Sequence, residues 1–217
     1  KWRRRPTITR DIEIPTDYEQ PLLCDIYQPV KKAPHSGIAI IHLHATAWQG
    51  MDKGQLTDHL FHRLADQGHT IIDVAYTLAP TADMAQMVDE VKHTIAWVKE
   101  HAEETQIDPD KVILMGESGG GHLALLCAYT ANDPDFQKAS ITTDTSVYGV
   151  IAIHAPTDLA IAFEEFGQME PRQPETSDQI TEDMQPRVFN KTFLDRLITK
   201  WRMLPEYRYQ NTPGGPL

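Results

Sequence analysis

Cysteine is scarce in this sequence, since Cys24 and Cys127 are the only two among 217 residues. Both lie in apolar segments, which favours free, buried thiols over a disulfide or a cysteine nucleophile. The sequence also lacks any run of about 20 apolar residues, the length that a membrane-spanning helix needs. We therefore predict a domain that folds without disulfides and contains no membrane span.

Positively charged residues are also fewer than negatively charged ones. The sequence has 20 Lys and Arg against 31 Asp and Glu, so its formal net charge is −11. A nucleic-acid partner needs a concentrated basic face, and this balance argues against one. The basic cluster at residues 1–5 fits either a segment that follows a removed leader or anchor, or the solvated end of a folded domain. The compartment and the oligomeric state therefore stay open.

Apolar segments alternate between strand-like and helix-like patterns along most of the chain. Strands are predicted over residues 7–14, 22–27, 38–43, 70–75, 111–115 and 147–153. Helices are predicted over residues 56–68, 84–98 (with Asp83 as its cap) and 119–131. This alternation predicts an α/β fold, with a mostly parallel sheet and helices on both faces. The first two strands have no helix between them, so we expect them to form an antiparallel edge.

The pattern changes from Asp158 onward. Residues 167–187 are polar and rich in proline, and an amphipathic helix is predicted over residues 189–201. The segment 159–204 is therefore either a lid over a site or a long connection. No internal repeat or linker indicates a second domain, so a single domain over residues 1–217 is predicted.

The strongest chemical signal is the segment Gly116-Glu117-Ser118-Gly119-Gly120, which stands between a predicted buried strand and an apolar helix. That context is typical of a nucleophile elbow, in which a serine occupies a strained turn and presents its hydroxyl above the sheet. Small residues around the serine let the backbones of strand and helix approach closely. Ser118 is therefore the predicted nucleophile.

A second signal follows the strand at residues 38–43, in the loop from His44 to Gly50. An enzyme that transfers acyl groups needs backbone N–H groups aimed at the oxyanion that develops during the reaction. One such donor is predicted at Gly119, directly after the nucleophile. The loop is expected to supply the others, at Ala45 and Thr46.

Three stretches resemble the motifs of a known esterase family. The loop from His44 to Gly50 resembles H-G-G-A-W-x-x-G, residues 73–80 resemble D-Y-R-L-A-P, and residues 116–124 resemble G-E-S-A-G-G-H-L-A. These motifs are similar to those of the hormone-sensitive-lipase-like, feruloyl-esterase-like and kynurenine-formamidase-like branch. The resemblance extends over residues 37–158. It implies the α/β-hydrolase fold and hydrolysis of carboxylic esters, occasionally of amides, without a cofactor.

One departure from the family pattern lies in the loop after His44. The two glycines expected there are Ala45 and Thr46, and glycine adopts backbone conformations that alanine and β-branched threonine resist. Loss of one oxyanion donor would slow the reaction about 100–1,000-fold. This substitution motivates a rival hypothesis, a catalytically degenerate hydrolase that binds a ligand or a partner.

The second departure concerns the catalytic triad, whose members follow in the order Ser, Asp or Glu, and His in this fold. No histidine occurs after His154, and in the resembling family the acid and the histidine follow two later strands. We therefore expect the fold to stop before its last strands, with the acid and the base beyond residue 217. The alternatives within the chain are Asp158 as the acid and His154 as the base. His122 is interpreted as a structural residue of the helix.

Ten histidines suggest a metal site as another hypothesis. His42 and His44 fall on one face of a strand, and His59 and His62 can share one face of a helix. Neither pair has a carboxylate or a cysteine at the spacing of a metal motif. We therefore predict no metal ion, and the family resemblance implies that no cofactor is needed.

Together these patterns predict a serine hydrolase that cleaves carboxylic esters through an acyl-enzyme on Ser118. Its substrate is expected to be a small-molecule ester with a short acyl group. His44, Trp48 and Glu117 are the candidates to line the substrate pocket. Amide cleavage would use the same machinery and stays open beside the binding hypothesis.

Overall fold

The computed structural model describes residues 6–30, 34–55 and 57–159. The chain divides into two compact units, Lys1–Pro156 and Thr157–Leu217. Only residues 157–159 of the second unit are described, so the lid considered for 159–204 lies, apart from its first residue, outside the described residues. The single domain over residues 1–217 stays a prediction.

Six strands and four helices make up the described part of the chain. The strands are β1 (Thr7–Ile14), β2 (Leu22–Gln28), β3 (Ala39–Leu43), β4 (Thr70–Ala75), β5 (Val112–Glu117) and β6 (Gly149–Ile153). The helices are α1 (Asp58–Asp66), α2 (Met84–Glu100), α3 (Ala102–Thr105) and α4 (Gly119–Tyr129). Every strand and helix predicted before Asp158 is present, and the short α3 is an addition that the apolar pattern did not predict.

The six strands form one sheet in the order β1-β2-β4-β3-β5-β6. Strands β4, β3, β5 and β6 run parallel to one another, whereas β2 pairs antiparallel with both β1 and β4. The prediction of a mostly parallel sheet with an antiparallel edge is therefore confirmed. Since parallel strands end at the same edge of a sheet, the loops that follow β3 and β5 lie side by side.

Helices cover both faces of this sheet. Helix α1 packs Phe61 and Ala65 onto one face, against the side chains of Tyr27, Ile40, Ile71 and Met115. Side chains alternate along a strand, so Ile41 and Leu43 of β3 point to the opposite face, and both are fully buried. The helices that contact β3 and each other on that side are α2 and α4. No helix in the described ranges is both long enough and apolar enough to cross a bilayer.

Both cysteines are free and buried, as predicted. Burial raises the pKa of each thiol to about 12, so both are protonated at neutral pH. The predicted cap of α2 is also confirmed, because the carboxylate of Asp83 accepts a hydrogen bond from the N–H of Gln86 at 3.0 Å. Such a cap satisfies one of the donors that a helix start leaves without a partner.

Helix α4 approaches the sheet more closely than a side chain would allow. A Cβ atom on Gly120 would overlap the carbonyl oxygen of Leu43 and lie 2.5 Å from the carbonyl oxygen of His44. Glycine is therefore required at residue 120 by the contact between the first turn of α4 and the end of β3. This contact sets the position of the whole N-terminus of α4.

We expect Gly120→Ala to destabilise the protein, expressed from its complete gene, by about 3 kcal/mol or more, because backbone atoms of β3 and α4 must separate. The free energy of unfolding in urea measures this loss. Gly149→Ala in β6 is the matched control, since no atom of the described residues lies within 4 Å of the added methyl group. Equal unfolding free energies for the two variants would contradict the close approach.

Candidate active site

Ser118 is the single residue between the end of β5 at Glu117 and the start of α4 at Gly119. Its backbone has φ 51° and ψ −118°, a conformation that L-residues rarely adopt. Such strain costs on the order of 1–3 kcal/mol and persists only where the surroundings enforce it. Here the N–H of Ser118 donates to Ile153 O at 2.8 Å, and its carbonyl oxygen accepts from the N–H of His122 at 3.0 Å. The turn has the strand–serine–helix geometry of a nucleophile elbow.

The loop after β3 has a left-handed backbone at consecutive residues. Thr46, Ala47 and Trp48 have φ angles of 73°, 50° and 60°. A left-handed conformation costs an L-residue roughly 1–2 kcal/mol, which explains why glycine is favoured at such positions. Thr46 has this conformation although it is β-branched. The loop therefore has a glycine-like backbone at Thr46, one of the two positions where the resembling motif has glycine, whereas Ala45 has no positive φ.

Two local hydrogen bonds hold the turn at Thr46. Its hydroxyl lies within donating distance of the carbonyl oxygens of Ala45, at 2.6 Å, and of Gly50. Its own carbonyl oxygen accepts from the N–H of Gln49 at 3.0 Å. Since a hydroxyl has one hydrogen, it donates to one carbonyl at a time. These bonds offset part of the cost of the left-handed backbone.

Trp48 connects this loop to the elbow. Its indole N–H donates to the carbonyl oxygen of Gly119 at 2.9 Å, and its own carbonyl oxygen accepts from the N–H of Ala79 at 2.8 Å. A Cβ atom on Gly119 would lie 3.2 Å from both the backbone N and the ring of Trp48, so these residues are in tight contact. The ring is buried and meets the ring of His122 edge-on at 5.4 Å. Trp48 therefore braces the two backbone segments that carry the predicted oxyanion donors.

His44 is buried beneath the same loop. Its ring stacks on the ring of Tyr76, with centroids 4.3 Å apart, and the Tyr76 hydroxyl donates to the His44 carbonyl oxygen at 2.9 Å. Burial lowers the pKa of His44 below the usual value, which favours the neutral imidazole. The contacts of His44 are those of a packing residue. Its role in a pocket, like that of the buried Trp48, stays a prediction.

The remaining candidates differ in their exposure. Glu117 and Thr46 are exposed, whereas Ala45 is half-buried. His122 is buried, and burial lowers its pKa to about 4, so it is neutral at pH 7 and fits the structural interpretation. Asp158 is exposed and belongs to the second unit. The role of Asp158 as an acid stays a prediction.

Two histidines of the metal hypothesis, His42 and His62, have carboxylate partners. His42 Nδ1 lies 2.7 Å from Asp73 Oδ1, and both side chains are buried. His62 Nε2 lies 3.4 Å from Asp58 Oδ2, one turn away on α1. Over the ranges that the structure describes, no group of three or more His, Cys, Asp or Glu side chains could hold a metal ion.

One set of residues beside the site was missed by the sequence patterns. Lys53 and Gly54, at the far end of the loop after β3, bind the buried carboxylates of Asp25 and Asp73. The available signal was a charged residue inside each of two otherwise apolar strands, since isolated buried carboxylates are rare unless they are paired. The pattern does not say which distant residue provides the partner.

The BD-FAE family profile matches residues 24–192, which is well over half of the chain. A probable carboxylic ester hydrolase, LipM of Mycobacterium tuberculosis, is 34% identical over 112 residues, which are 52% of this chain and 26% of that protein. An arylesterase of Saccharolobus solfataricus is 33% identical over 141 residues, which are 64% of this chain and 44% of that protein. The chain thus spans less than half the length of these curated relatives.

The fold has counterparts among solved structures. The butyrate-bound form of a thermophilic esterase, Est2 of Thermogutta terrifontis, matches with a TM-score of 0.61 at 23% identity. The match covers 87% of this chain and 61% of that chain. At this identity the likeness establishes the fold, and the family profile establishes the kinship. The chain belongs to the BD-FAE family and has the α/β-hydrolase fold of hormone-sensitive-lipase-like esterases.

Proposed function

We propose that the protein hydrolyses carboxylic esters, with Ser118 as the nucleophile. The observation that carries this proposal is the strained elbow, which places a partly exposed serine at the N-terminus of a buried helix. Strain of this kind is retained in proteins where a function needs it. The names of the relatives, a carboxylic ester hydrolase and an arylesterase, support the same chemistry.

The reaction begins with attack of Ser118 Oγ on the ester carbonyl carbon while a base accepts the hydroxyl proton. The tetrahedral intermediate then collapses, the bond to the alcohol oxygen breaks, and the alcohol leaves with a proton. Water hydrolyses the acyl-enzyme by the same steps and restores Ser118. The base is proposed to be a histidine, the residue type that most often has this role in general acid–base catalysis.

The oxyanion is proposed to lie between the first turn of α4 and the loop after β3. The N–H of Gly119 is the first donor, and the N–H groups of Ala45 and Thr46 supply the others. The positive end of the α4 dipole adds to the stabilisation of the negative charge. The left-handed backbone at Thr46 supports this assignment, because the loop keeps the conformation for which glycine is ordinarily selected.

The proposed substrate is a small-molecule ester with a short acyl group, and no cofactor is needed for the steps above. The rival hypothesis, a degenerate hydrolase that only binds a ligand or a partner, rests on the replacement of two glycines by Ala45 and Thr46. It has no further support in the geometry, because the loop remains braced against the elbow by Trp48.

Hydrolysis of p-nitrophenyl acetate and butyrate by the protein expressed from its complete gene tests this proposal. We expect Ser118→Ala to lower kcat at least about 1,000-fold, because the nucleophile is lost. Ser140→Ala is the control, since Ser140 is an exposed serine bound to Asp17 Oδ2 at 2.7 Å. An inert wild type whose Ser118 is also not labelled by a fluorophosphonate would refute the esterase and favour the binding hypothesis.

Trp48→Phe tests the brace between loop and elbow. Phenylalanine keeps most of the ring but cannot donate to Gly119 O, so the hydrogen bond between loop and elbow is lost at a cost of about 0.5–1.5 kcal/mol. We expect kcat for p-nitrophenyl acetate to fall about tenfold, because the donor at Gly119 is displaced. Trp97→Phe is the control, since the half-buried Trp97 stacks on His101 and phenylalanine retains that contact. Equal rates for both variants would show that the brace does not matter for turnover.

A further inference from the structure

A row of charged and polar side chains crosses the sheet at neighbouring register positions. Asp25 of β2 faces Asp73 of β4, and Asp73 faces His42 of β3. The exposed fractions of these residues are 1%, 0% and 6%. Buried carboxylates are costly unless hydrogen bonds or opposite charges compensate them. Each carboxylate in this row therefore needs a partner.

The loop after β3 supplies a partner to both carboxylates from two consecutive residues. Lys53 Nζ lies 2.9 Å from Asp25 Oδ1 and 2.6 Å from Asp11 Oδ1, and the N–H of Gly54 donates to Asp73 Oδ2. The other oxygen of each carboxylate has a partner from the sheet itself. Arg10 Nη1 binds Asp25 Oδ2 at 2.6 Å, and His42 Nδ1 lies 2.7 Å from Asp73 Oδ1.

These contacts keep the pair between Lys53 and Asp25 ionised. Burial alone would raise the pKa of Asp25, but hydrogen bonds from Lys53 and from the N–H of Asp11 outweigh it and lower the pKa. For Lys53, burial favours a lower pKa, and the hydrogen bonds to Asp11 and Asp25 raise it above the usual value. The side chain of Lys53 is only 12% exposed, so salt screens this interaction less than it screens a surface ion pair.

The position of Lys53 in the chain links this ion pair to the proposed oxyanion hole. Lys53 lies five residues after Trp48, in the same loop that begins at His44. That loop contains left-handed residues at 46–48 and again at Met51, and it contains no helix or strand of its own between β3 and α1. Trp48 holds the first part of the loop, which follows β3, against the elbow. Lys53 and Gly54 hold the later part of the loop against the sheet.

We propose that Lys53 is a positioning residue for catalysis, which fixes the far end of this loop on Asp25 and Asp11 and so holds the N–H groups of Ala45 and Thr46 in place. This inference rests on the proposed function. Removal of the ammonium leaves Asp25 with Arg10 as its remaining cationic partner and frees the loop beyond Gly50 to move. Misplacement of oxyanion donors by a fraction of an ångström lowers the rate of the chemical step while ground-state binding is retained.

Lys53→Met in the protein expressed from its complete gene, compared with Lys99→Met, tests the inference. The control is matched, because the Lys99 side chain is 10% exposed and its Nζ binds Asp144 Oδ2 at 3.0 Å, in a different part of the structure. With p-nitrophenyl acetate we expect Lys53→Met to lower kcat about tenfold or more with KM within about twofold, and Lys99→Met to leave both unchanged. Lys53→Arg, which restores the charge, is expected to recover most of the lost kcat.

Each outcome decides between a positioning role and simple stabilisation. A kcat for Lys53→Met equal to that of wild type, or the same fall in kcat for both methionine variants, would overturn the positioning role and leave the esterase intact. An inert wild type would overturn both proposals.

Should Lys53→Met fail to fold, Asp11→Asn provides the test, because the Asp11 side chain is 65% exposed and its replacement takes one carboxylate from Lys53. A fall in its kcat of about twofold or more at constant KM is then expected, and an unchanged kcat would overturn the role.

Discussion

The contact between the first turn of α4 and the end of β3 is the constraint on which the rest of the site depends. Gly120 allows the helix backbone to meet the carbonyl oxygens of Leu43 and His44, a distance at which no side chain fits. This approach forces the chain to turn sharply at Ser118 and gives that serine its left-handed φ. It also directs the positive end of the α4 dipole towards the edge of the sheet where the loops after β3 and β5 meet.

The loop after β3 adapts to this arrangement without the glycines of the motif that it resembles. Its left-handed residues would each destabilise an isolated loop by about 1–2 kcal/mol. In the folded protein this cost is offset by anchors in three places. Thr46 binds carbonyl groups within the loop, Trp48 bonds to the backbone of Gly119, and Lys53 pairs with Asp25 in the sheet. The loop is thus held by specific contacts instead of by the intrinsic preference of its residues.

Much of the fold was predictable because buried strands and helices carry a periodic apolar pattern. The sheet, its antiparallel edge and the cap at Asp83 follow from that pattern and from short connections. Helix α3 was missed because its four residues are too few to show a period. The anchors of the loop were missed for a different reason. Asp25 is visible in the sequence as a charge within an apolar strand, but its partner Lys53 lies 28 positions later and shares no motif with it.

The sequence by itself determined the order of the strands and helices and the place of Ser118 between a strand and a helix. It also determined that Ala45 and Thr46 stand where the resembling motif has glycine. Each of these results depends only on residue type and local spacing. Only the tertiary structure decided which backbone conformation the loop adopts where the two glycines are replaced. In the structure Thr46 has a left-handed backbone, in a loop that contacts Gly119 through Trp48 and Asp25 through Lys53. Such contacts join residues far apart in the chain, and their energy exists only once the sheet and α4 have brought them together.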